Sequence, residues 1–186
     1  MERTSLYTIG HSTRTLEQFV EIVRSFEVEM IVDVRTVPRS RTNPQYNLDT
    51  LPGLLAPLGL QHEQIRELGG LRKKSVTVPD DVNGFWENRS FHNYADYALS
   101  DEFEAGLDRL RALSRTRRCA IMCAEAVWWR CHRRIITDYL LLRDVDVFHI
   151  MDKDKATQAV LNPAARRSGL KPVSYTHLTL PTIYSV

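Results

Sequence analysis

Residues 30–35 read Met30-Ile31-Val32-Asp33-Val34-Arg35. An almost unbroken apolar run rich in β-branched residues suits a strand covered on both faces, the usual state of a strand in a parallel sheet. The run ends on charged groups, which places Arg35 at the strand's carboxyl end. Working toward the N-terminus, Leu6-Tyr7-Thr8-Ile9 is a second β-prone run and closes on Gly10-His11-Ser12. Between the two, Thr15-Leu16-Glu17-Gln18 has the form of a capping box, and Leu16, Phe19, Val20 and Val23 recur at helical spacing.

The same alternation continues downstream. A polar loop with Pro38, Arg39, Ser40, Arg41 and Pro44 leads to a helix over residues 51–58, stopped by Gly59. Residues 62–68 form the weakest strand and end in Gly69-Gly70; residues 72–93 carry the turn signals of a long loop. Ser100 caps a helix with Phe103, Leu107, Leu110 and Leu113 on one stripe. A fourth strand at 119–122 runs into Cys123-Ala124-Glu125, a further helix carries Ile135, Ile136, Tyr139 and Leu140, and a fifth strand covers 145–150. This pattern predicts an α/β fold: one open, mostly parallel five-stranded sheet with helices on both faces. One domain is expected over residues 1–171. Beyond Lys171 the chain has no Asp, Glu, Lys or Arg and leaves the pattern. Residues 172–186 therefore read as a non-native or disordered tail that makes few contacts.

Composition sets the class. The chain has 186 residues, 43% hydrophobic and 26% charged, which excludes a disordered or collagen-like chain. A formal net charge of +2 is too near balance for a protein coating nucleic acid along its length. No 20-residue apolar run marks a membrane span, and the opening residues lack the apolar stretch of a secretory signal. The three cysteines, Cys119, Cys123 and Cys131, cannot all pair within the chain, and reduced thiols in a cytoplasmic protein are expected.

Ligands of open parallel sheets bind beyond the carboxyl ends of the strands. His11 and Ser12, Arg35, Gly69-Gly70, and Cys123 with Glu125 all fall at such ends, so parallel strands would gather them on one rim. The densest stretch is Cys123-Ala124-Glu125-Ala126-Val127-Trp128-Trp129-Arg130-Cys131-His132-Arg133-Arg134, crossing from a strand end into the opening of a helix. Free N–H groups and the positive dipole end there favour a thiolate and attract anions. Cys123 or Cys131 would be the nucleophile, with Glu125 or His132 moving the proton. Arg133 and Arg35 would hold an anionic substrate group, joined by Arg39, by His11 and Ser12 as a polar lip, and by Gly69, Gly70 and Arg72 as a phosphate-cradling turn. The competing reading makes Cys131 a small core residue and the charges ordinary ion pairs. There is no C-x-x-C spacing, and no metal or cofactor is expected. Trp128-Trp129 could stack a base, but one ring in the core and one at the surface is the commoner arrangement.

Five groups of residues occur in order: Tyr7-Thr8-Ile9-Gly10-His11-Ser12; Asp33-Val34-Arg35 with Pro38; Glu67-Leu68-Gly69-Gly70 with Arg72-Lys73; Phe91 with Tyr94-Ala95-Asp96-Tyr97; and Cys123-Ala124-Glu125 with Cys131-His132-Arg133. Together they resemble the domain-of-unknown-function 488 family of small bacterial and archaeal proteins over about residues 6–168. The resemblance implies a compact α/β domain with a motif-bearing pocket and brings no established reaction with it. Trp128 departs from the pattern, which has Pro there as a first helical residue. The expectation is a thiol-dependent enzyme acting on an anionic, phosphate- or nucleotide-bearing substrate. The alternatives are a nucleic-acid or nucleotide-binding module without catalysis, or a structural or partner-binding domain.

Overall fold

The computed structural model describes residues 4–167 and 173–177. Its main sheet has six strands: β1 (Ser5–Gly10), β2 (Met30–Asp33), β3 (Gln61–Gln64), β4 (Cys119–Cys123), β5 (Asp146–Asp152) and β6 (Lys155–Gln158). Their order is β3-β2-β4-β1-β5-β6, and the first five are mutually parallel. β6 returns antiparallel on β5 and supplies a sixth strand beyond the five expected. It is exposed along its whole length, so it shows none of the apolar patterning by which buried strands are read.

Among the described residues five α-helices cover the two faces: α1 (Leu16–Arg24), α2 (Leu51–Leu55), α3 (Arg89–Tyr97), α4 (Asp101–Thr116) and α5 (Arg133–Leu141). Alternation along each strand divides the core. Ile9, Ile31, Ala120 and Met122 face Phe19, Val20 and Val23 of α1 and Leu51 and Leu55 of α2. Leu6, Val32, Val34, Ile121 and Cys123 pack with Tyr94 of α3, Phe103 and Leu107 of α4, and Ile135 and Tyr139 of α5. The predicted capping box is present: Thr15 accepts from the Gln18 N–H, and the Gln18 side chain accepts from the Thr15 N–H. Ser100 likewise caps α4 through the Phe103 N–H. A full Ser/Thr cap of this kind stabilises a helix by about 1 kcal/mol.

Several element boundaries shift. The third strand is confined to Gln61–Gln64, and residues 66–68 form a 3-10 turn. As an edge strand pairing only with β2, it tolerates its polar composition. The helix expected at 51–58 is α-helical to Leu55 and 3-10 over Ala56–Leu58. The long loop ends earlier than expected, because Asn88 caps α3 through the Ser90 and Phe91 N–H groups. Cys131 precedes α5 rather than lying inside it, and Trp128 opens a separate 3-10 turn, Trp128–Arg130.

The expectation of few contacts beyond residue 172 is overturned for residues 173–177. Val173 and Tyr175 are buried, and a short strand β8 (Ser174–Tyr175) pairs with β7 (Ala165–Arg166). The Tyr175 hydroxyl donates to Asp138 Oδ2 at 2.7 Å, and the Tyr139 hydroxyl donates to the Val173 carbonyl at 3.1 Å. The rest of the expected tail, residues 172 and 178–186, lies outside the described residues.

Candidate thiol site

Parallel pairing of β1, β2 and β4 carries residues 10–12, 34–36 and 123–125 to one edge of the sheet. The chain ends stay tied as they leave it: His11 N–H donates to the Cys123 carbonyl, Ser12 N–H to Ala124, and Val34 N–H to Met122. Arg35 and Cys123 therefore share a rim. A cleft of about 410 Å³ opens there, lined by Arg35, Thr36, Val37, Gly70, Leu71, Asn88, Ser90, Phe91, Cys123, Ala124, Glu125, Arg130, Cys131 and His132.

The two cysteine sulfurs meet at its floor. Cys123 Sγ lies 2.8 Å from Cys131 Sγ, although the residues come from the end of β4 and the turn before α5. Both are nearly buried, at 3% and 5% exposure. Cys131 Sγ also faces His132 Nδ1 at 3.4 Å and receives the Arg133 Nε–H at 3.4 Å and the Arg133 N–H at 3.5 Å. His132 Nε2 lies 2.7 Å from the Val34 carbonyl, so that nitrogen carries a hydrogen and donates it, leaving Nδ1 toward the sulfur. Burial pushes the Cys131 thiol up, but the hydrogen bond from Cys123, the contact with His132 and the charge of Arg133 outweigh it. The thiol is held well below its ordinary range. Cys123 is driven the other way, by its bond to Cys131 first and burial second, and remains the protonated donor.

Two glycines make this geometry possible. A β-carbon on Gly10 would lie 1.8 Å from the Glu125 carbonyl oxygen. Its absence lets that oxygen approach β1, where it accepts from Arg133 at 2.6 Å and lies 3.7 Å from Cys123 Sγ. A β-carbon on Gly70 would come within 2.5 Å of His132 Nδ1.

Arg133 is 1% exposed. It lies beneath the cleft, bonded to Cys131, to the Glu125 carbonyl and, through NH1, to Thr8 Oγ1 at 3.3 Å. Thr8 passes its own hydrogen to His149 Nδ1 at 2.7 Å, and Trp128 stacks on that imidazole with ring centroids 4.3 Å apart. Burial, then the charge of Arg133, lowers His149 to about 3, so it is neutral. Trp129 is partly exposed, so the tandem divides between an inner and an outer ring.

The other predicted residues separate into two groups. Glu125 reaches the cleft, but its carboxylate accepts from the Val127 N–H, and its carbonyl makes the contact with the thiol pair. Arg35 lines the cleft yet is bound in a fork to Asp33 at 2.9 and 2.6 Å and to the Tyr46 carbonyl. Burial pushes the Asp33 carboxyl up, but the Arg35 fork and His62 outweigh it and hold it below its ordinary range. His11 is buried under Arg35, stacked on Tyr46, and lowered to about 4 by burial. Ser12 contributes backbone bonding and is not among the cleft-lining residues.

Arg39 is 71% exposed, paired with Asp49, and takes no part in the cleft. Arg72 braces the loop, donating to the Gly69 and Arg66 carbonyls and lying over the Tyr97 ring. Gly69 packs on Thr36, so of the Gly-Gly pair only Gly70 borders the cleft. Sequence reasoning missed Val37, Asn88 and Ser90 and gave no site role to Phe91 or Leu71; these residues arrive from two loops and the start of α3. In the sequence Arg130 reads only as one of the positive charges near the cysteines, not as a substrate-binding residue. Among the described residues the Arg130 guanidinium has no hydrogen-bond or ion-pair partner, and it stands on the cleft wall. Among the described residues no cluster of three or more His, Cys, Asp or Glu could hold a metal ion, and no helix is long and apolar enough to cross a membrane.

A family model described as "Domain of unknown function DUF488" matches residues 15–140, which span β2, the glycine pair and both cysteines of the cleft but not the Tyr7–Ser12 group. No curated protein and no solved structure matches the chain.

Proposed function

Starting from the chain's membership of the DUF488 family, we propose that this protein is a thiol-dependent enzyme that attacks an anionic substrate from Cys131 in the cleft at the carboxyl ends of the strands. One observation carries the reading: the Cys131 sulfur is met at once by Cys123 at 2.8 Å, His132 Nδ1 at 3.4 Å and Arg133 Nε at 3.4 Å. Simple packing of a small core residue requires none of these. A nucleophilic thiol requires a proton acceptor within reach, a third group that orients the acceptor, and charge that favours thiolate. His132 takes the proton on Nδ1, the Val34 carbonyl orients it through Nε2, and Arg133 supplies buried positive charge. Glu125 positions the pair through its backbone oxygen.

The guanidinium of Arg130, without a partner among the described residues, supports an anionic substrate group, since a guanidinium bonds carboxylate and phosphate with two parallel N–H donors. Arg35 is less available, because Asp33 already occupies its fork. Val37, Leu71 and Phe91 add apolar area for the substrate's body.

Iodoacetate and iodoacetamide test both halves of this reading, since they are matched alkylating reagents that differ in charge. The expected result is faster alkylation of Cys131 than of Cys119 at neutral pH, with iodoacetate favoured over iodoacetamide relative to a free-thiol peptide. Arg130→Ala should abolish that preference while leaving the iodoacetamide rate nearly unchanged. If Cys131 reacts only after unfolding, the enzymatic reading fails and a binding or structural role replaces it.

A further inference from the structure

Cys123 donates to the Cys131 sulfur but forms no bond in nucleophilic attack by it, and the two sulfurs lie 2.8 Å apart. We propose that Cys123 is a resolving thiol, and that this cleft carries out thiol–disulfide exchange with small organic disulfides by closing Cys123 and Cys131 into a reversible disulfide. The proposal rests on Cys131 being the nucleophile.

The geometry supports closure. A disulfide needs sulfurs about 2.0 Å apart and β-carbons about 3.5–4.5 Å apart. From the observed 2.8 Å, the sulfurs must approach by under roughly 1 Å. Cys131 lies between the 3-10 turn Trp128–Arg130 and α5, its N–H bonded to the Trp128 carbonyl and its carbonyl to the Arg134 N–H, so the remaining approach falls to side-chain torsions. Cys123 ends β4, still packed in the apolar core at 3% exposure, and its residue borders the cleft. Cys119 starts the same strand on the same face, roughly 13 Å away at 3.3 Å per residue, too far to take part. The space above the sulfurs, about 410 Å³ with apolar and polar walls, admits an organic molecule bonded to Cys131.

The reaction balances without a cofactor. The Cys131 thiolate attacks one sulfur of R–S–S–R, forming Cys131–S–S–R and expelling R–S⁻, which leaves with the proton held by His132. Cys123 then attacks Cys131 Sγ, forming the Cys123–Cys131 bond and breaking the bond to the second R–S⁻, which departs with the Cys123 proton. The protein dithiol loses two electrons and the organic disulfide gains them, giving two thiols. Attack by the poorly ionised Cys123 is the slower step in solution, but adjacency raises its effective concentration.

Intact-mass analysis of the full chain after incubation with oxidised glutathione, hydroxyethyl disulfide or cystamine tests the proposal. These reagents are anionic, neutral and cationic respectively. The wild type should lose two hydrogens and carry no lasting adduct, with a Cys123–Cys131 linkage in the peptide map that dithiothreitol reverses. Cys123→Ser, and Cys123→Ala should the serine variant misfold, should instead accumulate a mixed disulfide at Cys131. Cys131→Ser should form neither product, and Cys119→Ser should match the wild type. A lasting adduct on the wild type, or three free thiols throughout, would overturn the proposal. If Cys131 alkylates rapidly yet no internal disulfide forms, the resolving role falls and the nucleophile stands. If disulfide forms equally with all three reagents, the resolving role stands and the preference for anions falls.

Discussion

Gly70 and His132 are in contact only because residue 70 has no side chain: a β-carbon there would sit 2.5 Å from the Nδ1 that faces the Cys131 sulfur. The loop after β3 thus sets the position of a proton acceptor contributed from 62 residues further along the chain. Gly70→Ala should push the imidazole off its rotamer at a cost of about 1 kcal/mol and leave the fold intact. Alkylation of Cys131 at neutral pH should slow about tenfold, a change of one pKa unit in thiolate availability. An unchanged rate would show that His132 does not act on the sulfur.

Arg133 should contribute to both stability and reactivity. Arg133→Leu leaves the Glu125 carbonyl, Thr8 and the Cys131 sulfur without their shared donor. The expected loss is roughly 2–4 kcal/mol in urea unfolding, the cost of stranding buried polar groups. Arg133→Lys should recover part of the thiol reactivity, keeping the charge but losing the planar fork. Equal stability in the leucine variant would contradict the buried network.

The alkylation rates of Cys131 and Cys119 should diverge with pH. Cys131 is held below the ordinary thiol range, so its rate should be flat through neutrality and fall only as acid protonates it. Burial raises Cys119 to about 11, so its rate should still be climbing above pH 9. Parallel pH profiles for the two thiols, followed by peptide mass spectrometry, would remove the distinction between them.

Acid should destabilise the fold through its buried histidines. His149 and His11 are lowered from 6.5 to about 3 and about 4, so between those values and 6.5 the unfolded chain binds more protons than the folded one. Stability from both is therefore fully present above pH 6.5 and lost as pH falls toward 4. Asp138 opposes this: burial raises it from 3.8 to about 6, so the folded chain holds its proton longer and gains stability as pH falls from 6 toward 3.8. Two groups outweigh one, and the thermal midpoint should drop between pH 6.5 and 4. His149→Asn, which keeps an acceptor for Thr8 without the titration, should flatten the slope. A midpoint that rises on acidification would contradict the assignment.

Arg39 provides the opposite expectation. Its ion pair with Asp49 is exposed on both sides, at 71% and 64%, and such pairs contribute about 0–1 kcal/mol. Arg39→Ala should leave the thermal midpoint within about 1–2 °C and the Cys131 alkylation rate unchanged. Any large change in that rate would place the 38–43 loop closer to the cleft than the structure does.

Much of the architecture was legible in the sequence, because local patterns carry it. Met30–Val34 reads as a doubly covered strand, Thr15 and Ser100 announce their helices, and the alternation of strand and helix implies a parallel sheet. Parallel strands in turn imply a shared rim for Arg35 and Cys123. β6 and the short extent of β3 were not legible, since edge strands lack the apolar signal that burial imposes. The tertiary structure alone decided which charged residues face the cleft. Arg133 and Arg130 lie three positions apart, yet one is sealed beneath the sulfurs and the other is open, because Arg130 ends the 3-10 turn and Arg133 begins α5. It also decided that Cys123 and Cys131 touch: an eight-residue separation through an irregular turn has no fixed span. Nor does any local rule reveal that Gly10 and Gly70 are empty space for groups 115 and 62 residues along the chain, Glu125 and His132. That information resides in the packing of distant segments, and only folding brings it together.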